Sequence, residues 1–217
     1  MSKSLANARK EVIVIESNST DGTRQLVQRY QGHADYQLIL QDKPRGKGHA
    51  VRAGLAVAQG DILMIQDADL EYDLNDYDDV LAPVLDGRAA FVLGSRHKGQ
   101  FKIRQFTDKA VLAFYVNSGH VVLTAMLNLL YHAHMTDPFT MYKVFRRECI
   151  QGMDFECNGF DFDWELVTKL LRAGYQPLEV PVNYRSRSFS EGKKISLWRD
   201  PLVGLRAMLK YRFWKKP

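Results

Sequence analysis

The chain alternates short β-branched runs with stretches of helical spacing. Residues 11–17 (EVIVIES) form an apolar run that ends in turn residues, Ser17-Asn18-Ser19-Thr20-Asp21-Gly22, and predict a buried strand followed by a loop. Beyond Thr23, the residues Leu26, Val27 and Tyr30 share one helical face. Residues 36–41 predict a second strand. Pro44, Gly46 and Gly48 break the chain before a helix over 49–59, which Gly60 closes. Residues 61–66 (DILMIQ) predict a third strand, a helix follows near 74–85, and 90–95 predict a fourth strand. Strands separated by single helices build βαβ units, so the class is α/β with a mostly parallel sheet flanked by helices.

Residues 110–136 carry no formal charge, and that length admits a transmembrane helix. Asn117, Ser118, Gly119, His120 and Asn128 interrupt the apolar run, so an amphipathic or interface-buried helix pair is the expectation. Residues 160–174 (FDFDWELVTKLLRAG) read as a helix with acids in its first turn, where the helix dipole favours them. A late strand over 178–184 and a terminal helix over 201–214 complete the pattern.

Composition changes this picture little. At 217 residues and 46% hydrophobic the chain is neither disordered nor fibrous, and a single domain over 1–217 is expected. Cys149 and Cys157 supply no disulfide framework, and the first ten residues lack the apolar core of a secretory signal; a reducing cytoplasmic setting follows as the expectation. Charge adds more. The net +5 divides into +8 on residues 184–217 and −3 on the remainder, and residues 61–86 hold nine carboxylates with no Lys or Arg. A basic tail suits phosphates, nucleic acid or anionic lipid headgroups, but no nucleic-acid-binding module accompanies it.

Three segments carry candidate chemistry. Asp67, Asp69 and Glu71 follow the third strand directly, at the sheet end where α/β ligands gather. Three carboxylates at one point repel unless a cation joins them, and an all-oxygen set favours Mg²⁺ or Mn²⁺. An acid-x-acid triplet is also a common solvated turn. Gly46 and Gly48 around Lys47 open a helix with backbone N–H groups and a cation, a combination suited to phosphate, although it is neither a P-loop nor a dinucleotide fingerprint. Glu16, Asn18 and Asp21 in the first loop could hold a nucleoside, and Asp21 could equally cap the next helix. His132 and His134, two residues apart, read either as a second metal site or as ordinary structural histidines.

In this order these segments resemble the family 2 glycosyltransferases of GT-A fold. ESNSTDGT stands where the family has its nucleoside loop, Gly46-Lys47-Gly48 where it has GKG, and Asp67-Ala68-Asp69 where it has the metal triplet. Gly94-Ser95-Arg96, Thr136-Asp137-Pro138, YKVFRR (142–147), FDFDWELVTKL and YRSRSFSEGKKI look like the dolichol-phosphate mannosyltransferase and bacterial polyprenyl-phosphate glycosyltransferase branch. The resemblance implies an inverting transfer from a UDP- or GDP-sugar to a polyprenyl phosphate or other membrane-proximal acceptor in cell-envelope glycan synthesis. Residues 11–100 would bind the donor, 101–200 would face the acceptor, and 201–217 would form a basic, aromatic terminal helix.

It also implies roles for single residues. Asp67, Asp69 and Glu71 would hold Mg²⁺ or Mn²⁺, with Glu16, Asn18, Asp21, Lys47 and Asp67 on the nucleotide-sugar. Asp137 would be the base or orient the acceptor, with Asp163 and Glu165 as alternates; Asp137 before Pro138 also reads as a turn residue, and Asp163 and Glu165 as first-turn helix charge. Arg96, Arg187, Lys193 and Lys194 would meet acceptor or diphosphate phosphates. Only ten residues precede EVIVI, too few for the family's opening strand, so a sheet lacking that strand is expected. Its open edge would invite association with a partner strand, and the shortfall raises an inactive nucleotide-sugar-binding module as the alternative. Transfer to a soluble glycan or small-molecule hydroxyl is the other. The terminal RAMLKYRFWKKP has the make-up of a helix at the inner membrane face, and equally of a packed helix with a solvated side.

Overall fold

The computed structural model describes residues 8–97, 110–187 and 199–215. Along the chain lie β1 (Val12–Glu16), α1 (Thr23–Gln28), β2 (Tyr36–Leu40), α2 (Lys47–Val57), β3 (Ile62–Ile65), α3 (Tyr77–Leu85), β4 (Phe91–Ser95), α4 (Ala110–Tyr131), β5 (Lys143–Arg146), α5 (Asp161–Arg172), β6 (Leu178–Pro181) and α6 (Arg199–Tyr211). Strands and helices alternate through β4, as the apolar spacing predicts.

β1 and β2 pair in parallel, with Val12 opposite Tyr36 and Glu16 opposite Leu40. The other four strands are ordered β3-β5-β4-β6. β5 runs antiparallel to both β3 and β4, while β6 is parallel to β4, so β3, β4 and β6 share one direction. Every residue of β4 is buried, and Phe91, Leu93, Tyr142, Phe145, Phe162, Leu166 and Leu170 build the core around it. Residues Phe162 to Leu171 of α5 are all buried, covered on one side by α6. Gly204 permits that approach: a Cβ there would lie 2.4 Å from the Trp164 ring.

β1 is less enclosed. Its valines and isoleucines are only partly buried, and Val12 is exposed. Among the described residues no strand joins β1 to β3. The Glu11 carboxylate spans the interval by accepting the backbone N–H groups of Gln59 (2.7 Å) and Gly60 (2.6 Å) just ahead of β3.

Two elements depart from expectation. Residues 110–131 form one continuous helix rather than a pair. Its polar residues do not break it because they find partners beyond it: Asn128 donates from Nδ2 to the Met135 carbonyl (2.8 Å) and accepts the Met135 N–H at Oδ1 (3.0 Å). No helix among the described residues is long and apolar enough to cross a membrane. β5 is the second departure. Four residues, KVFR, lack the length and alternation that betray a strand, and their pairing on both sides makes them one.

Candidate functional site

The acidic loop leaves β3 at Gln66, and tertiary pairing decides what surrounds it. Tyr72 bridges Tyr184 in antiparallel fashion. Asp73 N–H donates to the Asn183 carbonyl (3.2 Å) and Arg185 N–H to that of Glu71 (2.8 Å). Buried Asp76 secures the same strip by accepting Asn183 Nδ2 at 2.6 Å. The strip carries Arg187 onto the acids. Arg187 Nη2 lies 2.8 Å from Asp69 Oδ2, and its backbone N–H donates to Glu71 Oε1 at 2.9 Å. Tyr184 donates its hydroxyl to Glu71 Oε2 at 2.8 Å. Asp69 and Glu71 thus meet on one guanidinium.

Asp67 faces the other way. Its Oδ2 is 3.8 Å from Lys47 Nζ, which is 2.6 Å from Asp163 Oδ2; Asp163 Oδ1 in turn accepts Lys143 Nζ at 2.9 Å. Burial raises the Asp67 carboxyl above the usual range, opposed by Lys47 and reinforced by Asp163 and Asp69. Asp163 is buried too, yet Lys143 and Lys47 outweigh that and hold it at about 2. Burial pushes the fully enclosed Lys143 ammonium down while Asp163 supports it. Lys143 belongs to β5, and the lack of a visible strand there hid it among the basic residues of YKVFRR.

The glycines flanking Lys47 serve packing. A Cβ on Gly46 would stand 2.3 Å from the Asn158 carbonyl oxygen, and one on Gly48 would meet the Cys157 oxygen and Phe162 Cβ at 2.6 Å. The N–H groups of Gly48 and His49 donate to the carbonyls of Gly159 (3.2 Å) and Asn158 (3.1 Å). These amides at the start of α2 are engaged by the protein itself. Lys47 keeps its place between carboxylates.

The first loop is organised by Glu16. Burial opposes its charge, but the Ser19 N–H (2.5 Å) and the Arg24 guanidinium hold its carboxyl at about 2. Asp21 accepts the Thr23 N–H at 3.0 Å, the local turn role foreseen for it, and Asn18 is exposed at φ 64°.

Asp137 is fully buried beside β4. Arg96 grips it at both oxygens, Nη2 to Oδ1 at 2.7 Å and Nε to Oδ2 at 2.8 Å, with the Arg96 backbone N–H adding a third bond at 2.8 Å. Against the cost of burial, Arg96 holds this carboxyl far below the usual range. The Arg96 guanidinium stacks over the Tyr184 ring at 5.2 Å, which links the pair to Glu71. His120 lies 3.7 Å from Asp137 and 3.2 Å from His97, and burial lowers it to about 4. Lys193 and Lys194 lie outside the described residues.

Ion pairs therefore form two groups, Asp69 and Glu71 on Arg187 and Asp67–Lys47–Asp163–Lys143 on the other side, while Glu16, Asn18 and Asp21 sit at the end of β1 and Asp137 with Arg96 beyond Tyr184. A family model, Glycosyl transferase family 2, matches residues 2–152. The low-salt glycan biosynthesis hexosyltransferase Agl6 of Haloferax volcanii is 26% identical over 81% of this chain and 40% of its own length. The dolichol-phosphate mannosyltransferase of Pyrococcus furiosus is 24% identical over 84% of this chain and 50% of its own. The chain thus spans half or less of those two relatives. Among solved structures, mannosyl-3-phosphoglycerate synthase from Rubrobacter xylanophilus matches 93% of this chain and 63% of its own at TM-score 0.65 and 18% identity. Glucosyl-3-phosphoglycerate synthase from Mycobacterium tuberculosis, solved with Mn²⁺, UDP-glucose and phosphoglyceric acid, matches 92% and 68% at TM-score 0.61 and 18% identity. The fold is that of the GT-A enzymes, and the chain belongs to glycosyl transferase family 2.

Proposed function

We propose that this glycosyltransferase moves a hexosyl group from a nucleotide-diphosphate sugar to an acceptor whose nucleophile is already an anion, a phosphate oxygen of a polyprenyl-phosphate type. One observation carries the reading: the candidate bases are locked in ion pairs, Glu165 by Lys169 at 2.6 Å among them. Asp137 is bound at each oxygen by Arg96, and Asp163 is shared by Lys47 and Lys143. A carboxylate held at or below about 2 is a poor proton acceptor for an alcohol. A phosphate acceptor requires no such base, because it attacks as it stands. The relative from Pyrococcus furiosus, named a dolichol-phosphate mannosyltransferase, supports the same acceptor class. The attack displaces the nucleotide diphosphate from the opposite face of the anomeric carbon and inverts it.

Asp69 and Glu71, which meet at Arg187, offer only carboxylate oxygens and suit a hard divalent ion, Mg²⁺ or Mn²⁺, while Asp67 is turned toward Lys47. Such an ion supplies Lewis-acid neutralisation of the departing diphosphate. The chain's own residues do the rest. Lys47 adds charge beside Asp67, Arg187 is poised at Asp69 for a phosphate, and Glu16, Asn18 and Asp21 line the loop for the nucleoside. Lys193 and Lys194 are assigned to acceptor or donor phosphates, whereas Arg96, buried and bound to both oxygens of Asp137, holds that carboxylate instead.

The exposed faces of α4 and α6 favour peripheral contact with a membrane, where a lipid-linked acceptor resides. Phe114, Tyr115, Val122 and Leu129 on α4 are exposed, as are Leu202, Leu209 and Phe213 in and after α6. Basic Arg206, Lys210 and Arg212 flank the latter group.

The test is an acceptor comparison with UDP- and GDP-sugars and Mn²⁺. A short polyprenyl phosphate is glycosylated and the matching polyprenol is not, and the rate rises through the second phosphate ionisation near pH ~6. Efficient transfer to the alcohol would overturn the phosphate assignment. Metal-independent or absent nucleotide binding by calorimetry would overturn the enzyme reading itself.

A further inference from the structure

Four atoms bearing lone pairs converge where the end of β4, the middle of α4 and the turn after α4 meet. They are His97 Nε2, His120 Nε2, Asp137 Oδ1 and the Thr136 carbonyl oxygen. His120 Nε2 is 3.2 Å from His97 Nε2, 3.3 Å from Thr136 O and 3.7 Å from Asp137 Oδ1. The donor atoms of His97, His120 and Asp137 all lie within 4.8 Å of one another. A single N–H on His120 can serve only one of these neighbours well, and His97 Nε2 donates or accepts according to its tautomer.

The spacing matches a different occupant. Metal–nitrogen and metal–oxygen bonds of about 2.0–2.1 Å in a tetrahedral zinc site place neighbouring donors about 3.3 Å apart. Two of the observed separations, 3.2 and 3.7 Å, bracket that edge. We propose that His97, His120 and Asp137 bind a transition-metal ion of the Zn²⁺ class, at a site separate from the acids that follow β3. Two imidazoles and one carboxylate favour such a borderline ion over Mg²⁺ or Mn²⁺, which prefer all-oxygen sets. Arg96 does not preclude it. Its Nη2 takes one lone pair of Asp137 Oδ1 and its Nε bonds Oδ2, so Oδ1 retains a second lone pair for the ion. The guanidinium then fixes the carboxylate from behind, as outer partners of metal ligands do.

The ion would fasten α4 to the end of β4 and hold Asp137 and Arg96 in place, one ring contact from Tyr184 and hence from Glu71. It clamps the acceptor-side wall and takes no part in the transfer chemistry. The histidines are His97 and His120, 23 residues apart, rather than the adjacent-looking His132 and His134, both exposed on the turn leaving α4.

The proposal stands apart from the sugar-transfer reading and is tested without turnover. Chelator-stripped Asp69→Asn protein, in which the acid loop is disabled, is titrated with Co²⁺. One equivalent binds with the visible absorption of a low-coordinate nitrogen–oxygen site, Zn²⁺ displaces it, and His97→Gln or His120→Gln in that background weakens binding at least tenfold. X-ray absorption of the Zn²⁺-loaded Asp69→Asn protein needs no histidine variant and shows two imidazoles in the shell. Absence of the Co²⁺ band, its survival in both histidine variants, or a shell without imidazole would each overturn the site.

Discussion

Arg187 Nη2 lies 2.8 Å from Asp69 Oδ2, across 118 residues of sequence. Through Arg187 the basic tail meets the run of nine carboxylates, although the two lie far apart in the chain. The contact is only partly shielded from water, with 38% and 20% of the two side chains exposed, so it is an exchangeable latch and not a fixed strut.

Removing that latch should unmask the acids. Arg187→Met is expected to tighten Mn²⁺ binding in the absence of nucleotide by about 2–5-fold, the equivalent of about 0.5–1 kcal/mol for a half-exposed ion pair. The same variant should lower kcat with the full donor, since the guanidinium no longer meets phosphate. Calorimetry with Mn²⁺ alone, set beside steady-state kinetics, checks both directions; unchanged Mn²⁺ affinity would show that Arg187 does not compete for Asp69.

Asp163 should prove indispensable as a neutraliser. Asp163→Asn leaves Lys143, fully buried, without its carboxylate partner, while Lys47 keeps only Asp67 at 3.8 Å. A loss of about 3–5 kcal/mol is expected for a buried charge deprived of its partner, read as a fall in the denaturant midpoint. The double variant Asp163→Asn/Lys143→Met should recover much of that loss, which a purely catalytic role for Asp163 would not predict.

Acid stability follows from the same pair. Lys143 and Lys47 depress Asp163 to about 2 in the folded state, so its contribution is fully present above the unfolded carboxyl value near 4 and is lost as pH falls toward 2. Asp137 and Glu16 act in the same direction. Chemical denaturation should give a flat stability from these groups between pH 5 and 8 and a steep decline below about pH 4. A maximum at pH 3 would contradict the ion-pair assignments.

Gly46 and Gly48 should be intolerant of alanine for steric reasons. Gly46 also has φ +99°, which penalises any side chain. Each Ala variant is expected to lose about 1–3 kcal/mol, or roughly 2–10 °C in Tm. Nucleotide affinity per folded molecule should change less than stability does, because the local amides are already bonded to Asn158 and Gly159.

Much of this protein could be read from its residues in order. The β-branched runs of β1 to β4 and the helical faces between them are local patterns, set by side-chain periods of two and 3.6, and the structure places those elements within three residues of expectation. The acids after β3 were legible because sheet ends are where α/β ligands gather. What pairing decides was not legible. β5 is a strand only because β3 and β4 lie on either side, and with it came Lys143 and the ion-pair chain from Asp163 to Asp67. That the amides of Gly48 and His49 are taken by the carbonyls of Gly159 and Asn158, more than 100 residues away, was likewise not visible in the GKG segment. Whether a carboxylate is a base or a locked counter-ion depends on which cation the fold brings within about 3 Å of it, and for Asp137 and Asp163 those cations come from other strands and helices. The sequence by itself determined the elements, the family and the kinds of groups available. The tertiary structure alone decided which of those groups neutralise one another, because charge interactions depend on distance and burial and neither is a local property of the chain.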